Sequence, residues 1–160
     1  MSGHFTFIAA SYLFLIRDGK ILLQRRYQTG FEDGNYGVPS GHLDGMETVR
    51  EGCAREMKEE IGIDLNLDHV QIVHIMHRKK TKDERFDFFC TTNKYEGEIK
   101  NCEPHKCDDL SWFAINDLPV NTIDYVQKAI ESYRRGEPYS EYGWDSRDSV
   151  TSTSVLTKNS

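Results

Sequence analysis

The spacing of apolar residues predicts an amphipathic helix over residues 47–61. Its apolar residues recur every four positions: Val49, Cys53, Met57 and Ile61. Residues at this spacing form one stripe on a helix, and such a stripe normally faces a core. Thr48 is a candidate N-cap, and Gly62 lies where a left-handed C-terminal cap would end the helix. The pattern therefore gives this helix a start, a buried face and an end.

A second helix is predicted further along the chain. Asn121 is a good N-cap, and Asp124 follows three residues later as a short analogue of a capping box. The apolar face of this helix comprises Ile123, Val126, Ile130 and Tyr133. We expect the helix to end at residues 134–136 and to pack on the opposite side of a sheet from the first helix.

Five segments are rich in β-branched and aromatic residues, which favours strands. They are residues 5–16, 20–25, 69–76, 85–92 and 109–114. Asp18 and Gly19 form a turn dipeptide that joins the first two segments into a hairpin, the expected first two strands of the sheet. The charged segment 79–84 joins the next two, Glu96 and Gly97 form a further turn, and the fifth segment would close the sheet. Helices on both sides of a mixed β-sheet make an α+β sandwich, the predicted fold class.

The length and composition indicate one domain. A chain of 160 residues with 38% apolar residues suits a single globular core, which we assign to residues 1–136. Residues 137–160 are predominantly polar, and 151–160 are rich in Ser and Thr, so this part cannot bury enough surface to offset the entropy of ordering. We expect a loose C-terminal tail, with Tyr139, Tyr142 and Trp144 available to dock on the domain.

The charge balance limits the classes of partner. A net charge of −6 and a pI near 5.5 argue against broad nucleic-acid binding, which depends on basic patches. An anionic small molecule would need a metal ion and a few local Arg or Lys side chains. Arg25 and Arg26 precede the polar loop 27–36 and are candidates for binding a substrate phosphate. Surface solubility explains these two arginines equally well.

Neither a membrane segment nor a disulfide framework is expected. The apolar segment 5–16 is too short to span a bilayer, and it lacks the preceding basic residues of a signal peptide. The four cysteines form no CxxC pair, so we expect reduced thiols in a cytoplasmic protein. One alternative stays open, a zinc site, although its spacing departs from standard zinc modules. Its ligands would be Cys102, His105 and Cys107, with Cys90 as a fourth.

Three carboxylates border the apolar stripe of the first helix. Glu56, Glu59 and Glu60 lie within an arc of about 100° on a helical projection. A solvated acidic face is the common explanation for such residues. However, Glu56 is followed four residues later by Glu60 rather than by a cation, a repulsive pair. Gly52 lies one turn before Glu56, costs about 1 kcal/mol relative to Ala, and would leave room for a ligand. Clustered oxygen ligands beside open space suit Mg²⁺ or Mn²⁺ with a phosphorylated substrate.

These residues resemble a complete Nudix box. The box consists of Gly41, five residues, Glu47, seven residues, and then the segment 55–63 with the sequence REMKEEIGI. The resemblance implies the Nudix α/β/α sandwich and a metal-dependent hydrolase of nucleoside diphosphate derivatives. The segment before it, 36–41, ends in Ser40 and Gly41, where Nudix proteins more often carry Pro-Gly-Gly.

Residue roles are carried over from the resemblance one by one. Glu56, Glu59 and Glu60 would bind the metal, together with the Gly41 carbonyl. Glu47 and Arg55 would form an ion pair that orients the cluster. Glu59 or Glu60 leads as the general base. The other candidates for that role are Glu103, Asp108 and Asp109, for each of which surface solvation is the simpler explanation.

The sequence therefore predicts a Mg²⁺-dependent Nudix pyrophosphohydrolase, with Mn²⁺ as a second candidate metal. The expected substrate is a nucleoside triphosphate or a modified nucleotide, and the expected assembly is a monomer or homodimer. The alternatives are an NDP-sugar pyrophosphatase and a module that binds a nucleotide or ADP-ribose without hydrolysing it. A structural protein with an acidic helix is a third alternative, and it would show no dependence on cations.

Overall fold

The computed structural model describes residues 3–145, which form two helices and eleven strands. The helices are α1 (Val49–Ile61) and α2 (Asp124–Arg134), and a 3₁₀ turn covers Leu67–His69. The strands before α1 are β1 (Ile8–Phe14), β2 (Ile16–Arg17), β3 (Lys20–Arg26), β4 (Tyr36–Gly37) and β5 (Ser40–His42). Those after it are β6 (Asp64–Leu65), β7 (Gln71–Lys80), β8 (Asp83–Thr91), β9 (Tyr95–Glu96), β10 (Cys107–Ala114) and β11 (Tyr139–Tyr142). The predicted α+β class is confirmed.

The strands form two main sheets. The first is five-stranded, in the order β11-β7-β8-β1-β5, and mixes parallel pairs (β1 with β8, β11 with β7) with antiparallel ones. The second contains β10, β3 and β2, with β4 paired to β3. A small antiparallel pair joins β6 to β9. The predicted hairpin of residues 69–76 and 85–92 is confirmed as β7 and β8.

The first predicted hairpin needs a correction. Asp18 and Gly19 do form the turn, both with positive φ, but this turn joins β3 to the two-residue strand β2. The segment 5–16 is interrupted after β1, which pairs in parallel with β8 and so belongs to the other sheet. The fifth predicted strand, β10, likewise pairs with β3 in the second sheet. The sheet to which β1 and β10 belong is decided by their pairing with strands distant in the chain. The residues of a local turn contain no information about such pairing.

Helix α1 follows the predicted pattern closely. Cys53, Met57 and Ile61 are fully buried. The Thr48 side chain caps the helix by accepting a hydrogen bond from the Glu51 backbone N–H, and the Glu51 carboxylate accepts one from the Thr48 N–H. This reciprocal capping box starts the helix at Val49 instead of residue 47. Gly62 ends it in the left-handed conformation, with φ of 76°, as predicted.

The two helices pack on opposite sides of β1, as predicted. Successive β1 side chains alternate between two apolar clusters: Leu13 packs with Cys53 and Met57 of α1, whereas Tyr12 and Phe14 belong to the cluster of α2. Because neighbouring strand residues point to opposite faces, the two clusters lie on the two faces of the sheet. β1 therefore contributes side chains to both halves of the core.

The start of α2 differs from the prediction. The helix begins at Asp124, and its N-cap residue, Ile123, makes no side-chain cap. Asn121 was expected to be the cap, but its amide donates to the Gly34 carbonyl at 2.8 Å. Asn121 thus ties the loop after β3 to the start of α2. The predicted apolar face is confirmed, with Val126 and Ile130 buried.

The ordered fold continues beyond residue 136. Strand β11 pairs in parallel with β7, and the Trp144 indole donates to the His77 carbonyl at 3.1 Å. The aromatic residues thus dock on the domain, and the rest of the expected tail, residues 146–160 with the Ser/Thr-rich segment 151–160, lies outside the described residues. None of the helices in residues 3–145 is long and apolar enough to cross a membrane.

Candidate active site

An ion pair between Glu47 and Arg55 ties the start of α1 to the loop before it. Arg55 donates through Nε to Glu47 Oε2 at 3.1 Å and through Nη2 to Glu47 Oε1 at 2.8 Å. The hydrogen bond from Arg55, reinforced by one from the Asp44 N–H, lowers the pKa of Glu47. Arg55 Nη2 also donates to the His42 carbonyl at 3.1 Å. One guanidinium therefore holds the helix, the loop and the end of β5 together.

Glu56 lies between Arg55 and Gly41. Arg55 Nη1 is 2.8 Å from Glu56 Oε1 and 3.6 Å from Glu59 Oε2, so the arginine bridges two carboxylates. A Cβ atom built on Gly41 would overlap the Glu56 carboxyl group. The absence of a side chain at Gly41 is therefore what allows β5 to lie against Glu56. Burial raises the pKa of Glu56, and the hydrogen bond from Arg55 partly opposes that shift.

Glu60 lies deepest of the three carboxylates. Its Oε2 accepts hydrogen bonds from the Ser40 backbone N–H at 3.0 Å and from the Gln24 amide at 3.3 Å. No cationic side chain in the described part of the chain forms an ion pair with it. Burial raises the pKa of Glu60 to about 8, with added repulsion from Glu56 and Glu103. The carboxyl group is thus held in place by neutral donors, and no nearby cation stabilises its ionised form.

A cavity of about 640 Å³ opens in front of these carboxylates. Its acidic lining residues are Glu56, Glu59, Glu60 and Glu103, with Asp44. Its basic lining residues are Arg26, Arg78, Lys80, Arg85 and Lys106. Aromatic rings of Tyr12, Phe31 and Tyr125 also line it. A cavity lined by both carboxylates and cations suits a substrate that is bound through both a metal ion and direct contacts to phosphate.

Four of the five cations have no acidic partner. Arg26, Lys80, Arg85 and Lys106 form no ion pair within residues 3–145. Lys80 Nζ lies 3.8 Å from the ring centroid of Phe31, and Arg26 Cζ lies 5.3 Å from it. In a chain with a net charge of −6, unpaired cations gathered at one cavity indicate an anionic ligand.

The comparisons with known proteins agree with this geometry. The family model of the NUDIX domain matches residues 6–135, which is most of the chain. The chain belongs to the Nudix family of hydrolases. The resemblance of the segment from Gly41 to Ile63 is thereby confirmed.

The relatives of this Nudix protein include enzymes and solved structures. ADP-ribose pyrophosphatase from Methanocaldococcus jannaschii is 29% identical over 119 residues, which are 74% of this chain and 68% of that protein. The NAD-capped RNA hydrolase NudC of Stutzerimonas stutzeri is 26% identical over 117 residues. These residues are 73% of this chain and 40% of that protein. The crystal structure of the MutT NUDIX hydrolase from Burkholderia pseudomallei matches with a TM-score of 0.72 and 27% identity, covering 79% of this chain and 97% of that one. The relatives confirm the fold and a family of hydrolases that act on phosphoanhydrides.

The sequence-predicted residues are only partly brought together in this Nudix site. Gly41, Glu56, Glu59, Glu60, Arg26 and Glu103 line the cavity, and Glu47 and Arg55 support it from behind. Arg25 does not line it, because its guanidinium pairs with Asp108 at 2.7 Å. Asp109 accepts a hydrogen bond from the Tyr36 hydroxyl and also lies outside the lining. Substrate contact therefore remains a proposal for Arg26, and Glu103 is the one later-loop base candidate at the cavity.

Gly52 does not leave space for a ligand, contrary to the sequence-based prediction. A Cβ atom built there would overlap Leu43 Cδ2 and lie 3.0 Å from Glu47 Oε1. Protein side chains fill the place, because the loop before α1 folds back onto this face of the helix. The position in the site that requires a glycine is Gly41, where the backbone lies against the Glu56 carboxyl group.

Several cavity residues were not singled out from the sequence. Lys80 and Arg85 were assigned to a charged connection and a strand, and Arg78 to neither. The structure extends β7 to Lys80, so Arg78 and Lys80 point to the same face, and Arg78 pairs in register with Arg85. The available signal was a run of three basic residues, Arg78 to Lys80. Gln24 and the Ser40 N–H, which hold Glu60, gave no signal in the sequence.

The carboxylates of α1 fit a hard divalent cation chemically. As they stand, no three His, Cys, Asp or Glu side chains in residues 3–145 are gathered closely enough to enclose a metal ion. At α1 the reason is that Arg55 bridges Glu56 and Glu59, while Glu60 is turned to Ser40. All three nevertheless line one cavity, and Glu60 lacks a compensating charge. Carboxylates beside solvent-filled space are the ligands that Mg²⁺ and Mn²⁺ prefer.

The zinc alternative gains no geometric support. Cys90 is fully buried in the apolar cluster of α1, and the Cys107 thiol donates to the Asp109 carbonyl at 3.2 Å. All four cysteines are present as free thiols. Cys102, His105 and Cys107 are not part of a metal-binding group among the residues described.

Proposed function

We propose that this Nudix protein is a Mg²⁺-dependent pyrophosphohydrolase that cleaves a phosphoanhydride bond in a nucleoside triphosphate or a modified nucleotide. The observation that carries the proposal is one cavity lined both by the three carboxylates of α1 and by four cations without an acidic partner among the described residues. The former suit a divalent cation and the latter suit phosphate oxygens.

The metal would be held by Glu56, Glu59 and Glu60, with the Gly41 carbonyl as a further ligand. A bound Mg²⁺, or Mn²⁺, supplies Lewis-acid stabilisation of phosphate charge and lowers the pKa of a bound water. Arg55 binds both Glu47 and the His42 carbonyl at the end of β5, and so fixes the position of α1 relative to β5. This contact sets the position of Glu56. Arg55 and Glu47 therefore act on the reaction by positioning.

The reaction itself is attack of water on phosphorus. The P–O bond to water forms as the bridging P–O bond of the anhydride breaks, and the proton of the water passes to a carboxylate of the chain. Glu59 and Glu60 lead for that role, and Glu103 is the alternative on the same cavity wall. Arg26, Lys80, Arg85 and Lys106 hold phosphate oxygens and stabilise the charge on the leaving group.

A second substrate class has support from the comparisons. The Methanocaldococcus relative is named for ADP-ribose, a nucleoside diphosphate joined to a sugar. Substrates of that kind carry two phosphates, whereas four unpaired cations offer contacts for a longer phosphate chain. This contrast favours a nucleoside triphosphate for the present protein, with an NDP-sugar or ADP-ribose as the alternative. The proposed substrate is a small-molecule nucleotide and not a nucleic acid, because the net charge of −6 disfavours binding to nucleic acid. The proposed location of the enzyme is the cytoplasm.

A hydrolysis screen that detects the released nucleoside monophosphate, pyrophosphate, phosphate or sugar phosphate tests the proposal. The panel contains nucleoside triphosphates, ADP-ribose, NDP-sugars, dinucleoside polyphosphates and diphosphoinositols, each with Mg²⁺, with Mn²⁺ and with a chelator. We expect metal-dependent turnover of at least one nucleoside triphosphate, and turnover by Glu60→Gln that is slower by about a hundredfold or more. Turnover confined to NDP-sugars or ADP-ribose would establish the alternative class. Tight nucleotide binding with no turnover of any compound would instead establish a binding module.

A further inference from the structure

Arg78 is a buried arginine that lines the cavity. Its side chain is 5% exposed, and its Nε donates to Asp87 Oδ2 at 2.6 Å. The other oxygen of Asp87 accepts from the Tyr12 hydroxyl at 3.1 Å. Asp87 is itself fully buried, so both of its oxygens serve to hold this pair. The position of Arg78 is therefore fixed by groups that take no part in the proposed hydrolysis.

The plane of the Arg78 guanidinium is fixed as well. Its Cζ lies 3.7 Å from the ring centroid of Tyr125, and Nη2 lies 3.4 Å from the Tyr12 hydroxyl. Stacking on one aromatic ring and bonding along one edge leave little freedom to rotate. In the described part of the chain nothing accepts a hydrogen bond from Nη1. Arg78 lines the cavity, so this end of the fork faces the space where a ligand would lie.

The charge of Arg78 differs from that of its basic neighbours. Asp87 neutralises Arg78, whereas Lys80 and Arg85 on the same sheet face have no acidic partner. A neutralised pair attracts a phosphate weakly, but its N–H groups remain directional donors. The structure thus offers unpaired cations for phosphates and a neutral, planar donor for an uncharged part of the substrate.

We propose that Arg78 is a specificity-determining residue that recognises the nucleobase. The free Nη1 and the second hydrogen of Nη2 form an end-on pair of parallel donors, which matches two adjacent acceptors on a base edge. Guanine presents such a pair, O6 and N7, whereas adenine presents a donor amino group beside N7. The site therefore favours a guanine nucleotide over an adenine nucleotide. This inference rests on the proposed nucleotide hydrolysis.

The test compares kcat/KM for GTP, ATP, CTP and UTP in the wild type and in Arg78→Lys. Lysine keeps the positive charge opposite Asp87 but lacks the planar fork. We expect the wild type to prefer GTP over ATP by roughly tenfold to a hundredfold, the range for one bidentate contact. In Arg78→Lys that ratio falls toward one, mainly through loss of GTP turnover. Lys80→Gln is the matched control, since it should weaken both nucleotides alike and leave the ratio unchanged.

A second variant covers the case in which Arg78→Lys fails to fold. The double variant Arg78→Gln with Asp87→Asn replaces the charged pair by two amides, which removes the fork without leaving a buried charge. Its fold is checked by circular dichroism and thermal melting, and it should also lose the preference for GTP. Arg134→Lys, an exposed site on α2, controls for a general effect of exchanging arginine for lysine.

The possible results separate this inference from the proposed function. A wild type that hydrolyses nucleotides with equal efficiency, or that prefers ATP, CTP or UTP, overturns the role of Arg78 and leaves the hydrolase intact. An unchanged GTP preference in both folded variants overturns it as well. If no nucleotide is hydrolysed, titration with non-hydrolysed GTP and ATP analogues decides: a GTP preference that needs Arg78 supports the inference, and equal binding or none overturns it.

Discussion

Gly41 and Glu56 are packed so closely that residue 41 has no room for a side chain. A Cβ atom at this position would occupy the place of the Glu56 carboxyl group. Strand β5 and helix α1 thus approach each other through a glycine on one side and a proposed metal ligand on the other. The position of Glu56 depends on this contact as much as on the helix that bears it.

The first prediction concerns Gly41→Ala. The added methyl group should displace the Glu56 carboxylate and its contact with Arg55, so metal-dependent activity should fall by about a hundredfold, as when a key electrostatic group is lost. Steady-state kinetics would measure it. Gly45→Ala is the matched control, because a Cβ atom there meets nothing within 4 Å and activity should be retained. Equal activity of the two variants would refute the packing argument.

The second prediction concerns Glu60→Gln. The amide is nearly isosteric and can keep an oxygen toward the Ser40 N–H, so the fold should be retained. The change removes an anionic ligand, and kcat should fall by about a hundredfold or more. Glu96→Gln, an exposed position outside the cavity, should have normal activity. Near-normal turnover by a well-folded Glu60→Gln variant would remove Glu60 from the site.

The third prediction is that Mg²⁺ raises the melting temperature. The folded chain gathers Glu56, Glu59 and Glu60 at one cavity, and a bound cation would stabilise the ionised form of Glu60, so the folded chain should bind the cation better than the unfolded chain does. By linkage, a hundredfold excess of metal over Kd would stabilise the fold by about 2.7 kcal/mol. The increment should shrink in Glu56→Gln. Melts with Mg²⁺ plus a non-hydrolysed nucleotide analogue make the comparison decisive: equal increments in both proteins would show that α1 does not hold the metal.

The fourth prediction concerns Gly52→Ala. Helix propensity alone would stabilise the variant by up to about 1 kcal/mol. The added Cβ overlaps Leu43 Cδ2 and crowds Glu47, so we expect less than this gain, together with reduced activity from a disturbed pair of Glu47 and Arg55. Adding Leu43→Ala should relieve the overlap and bring back part of the propensity gain relative to Leu43→Ala alone. Chemical denaturation measures both differences, and a full gain in the single variant would contradict the packing.

The sequence by itself determined α1 and the carboxylates that it carries. The periodicity of Cys53, Met57 and Ile61 and the glycine at 62 specify a helix with a buried face and a fixed end, since these are local properties of the backbone. The residue types and spacing of the segment from Gly41 to Ile63 were sufficient to indicate the family. Hairpin β7–β8 was predictable for the same reason, because its pairing is local in the chain.

Only the tertiary structure decided which distant groups meet these carboxylates. The pairing of β1 with β8 brings Tyr12 to Asp87 and so fixes Arg78, and the pairing of β3 with β4 accompanies the contact of Gln24 with Glu60. The pairing of β3 with β10 brings Arg25 to Asp108, and the loop before α1 places Leu43 in the space beside Gly52. Local propensity cannot specify such contacts, because they depend on which strands pair across the chain and on how side chains divide a crowded interior.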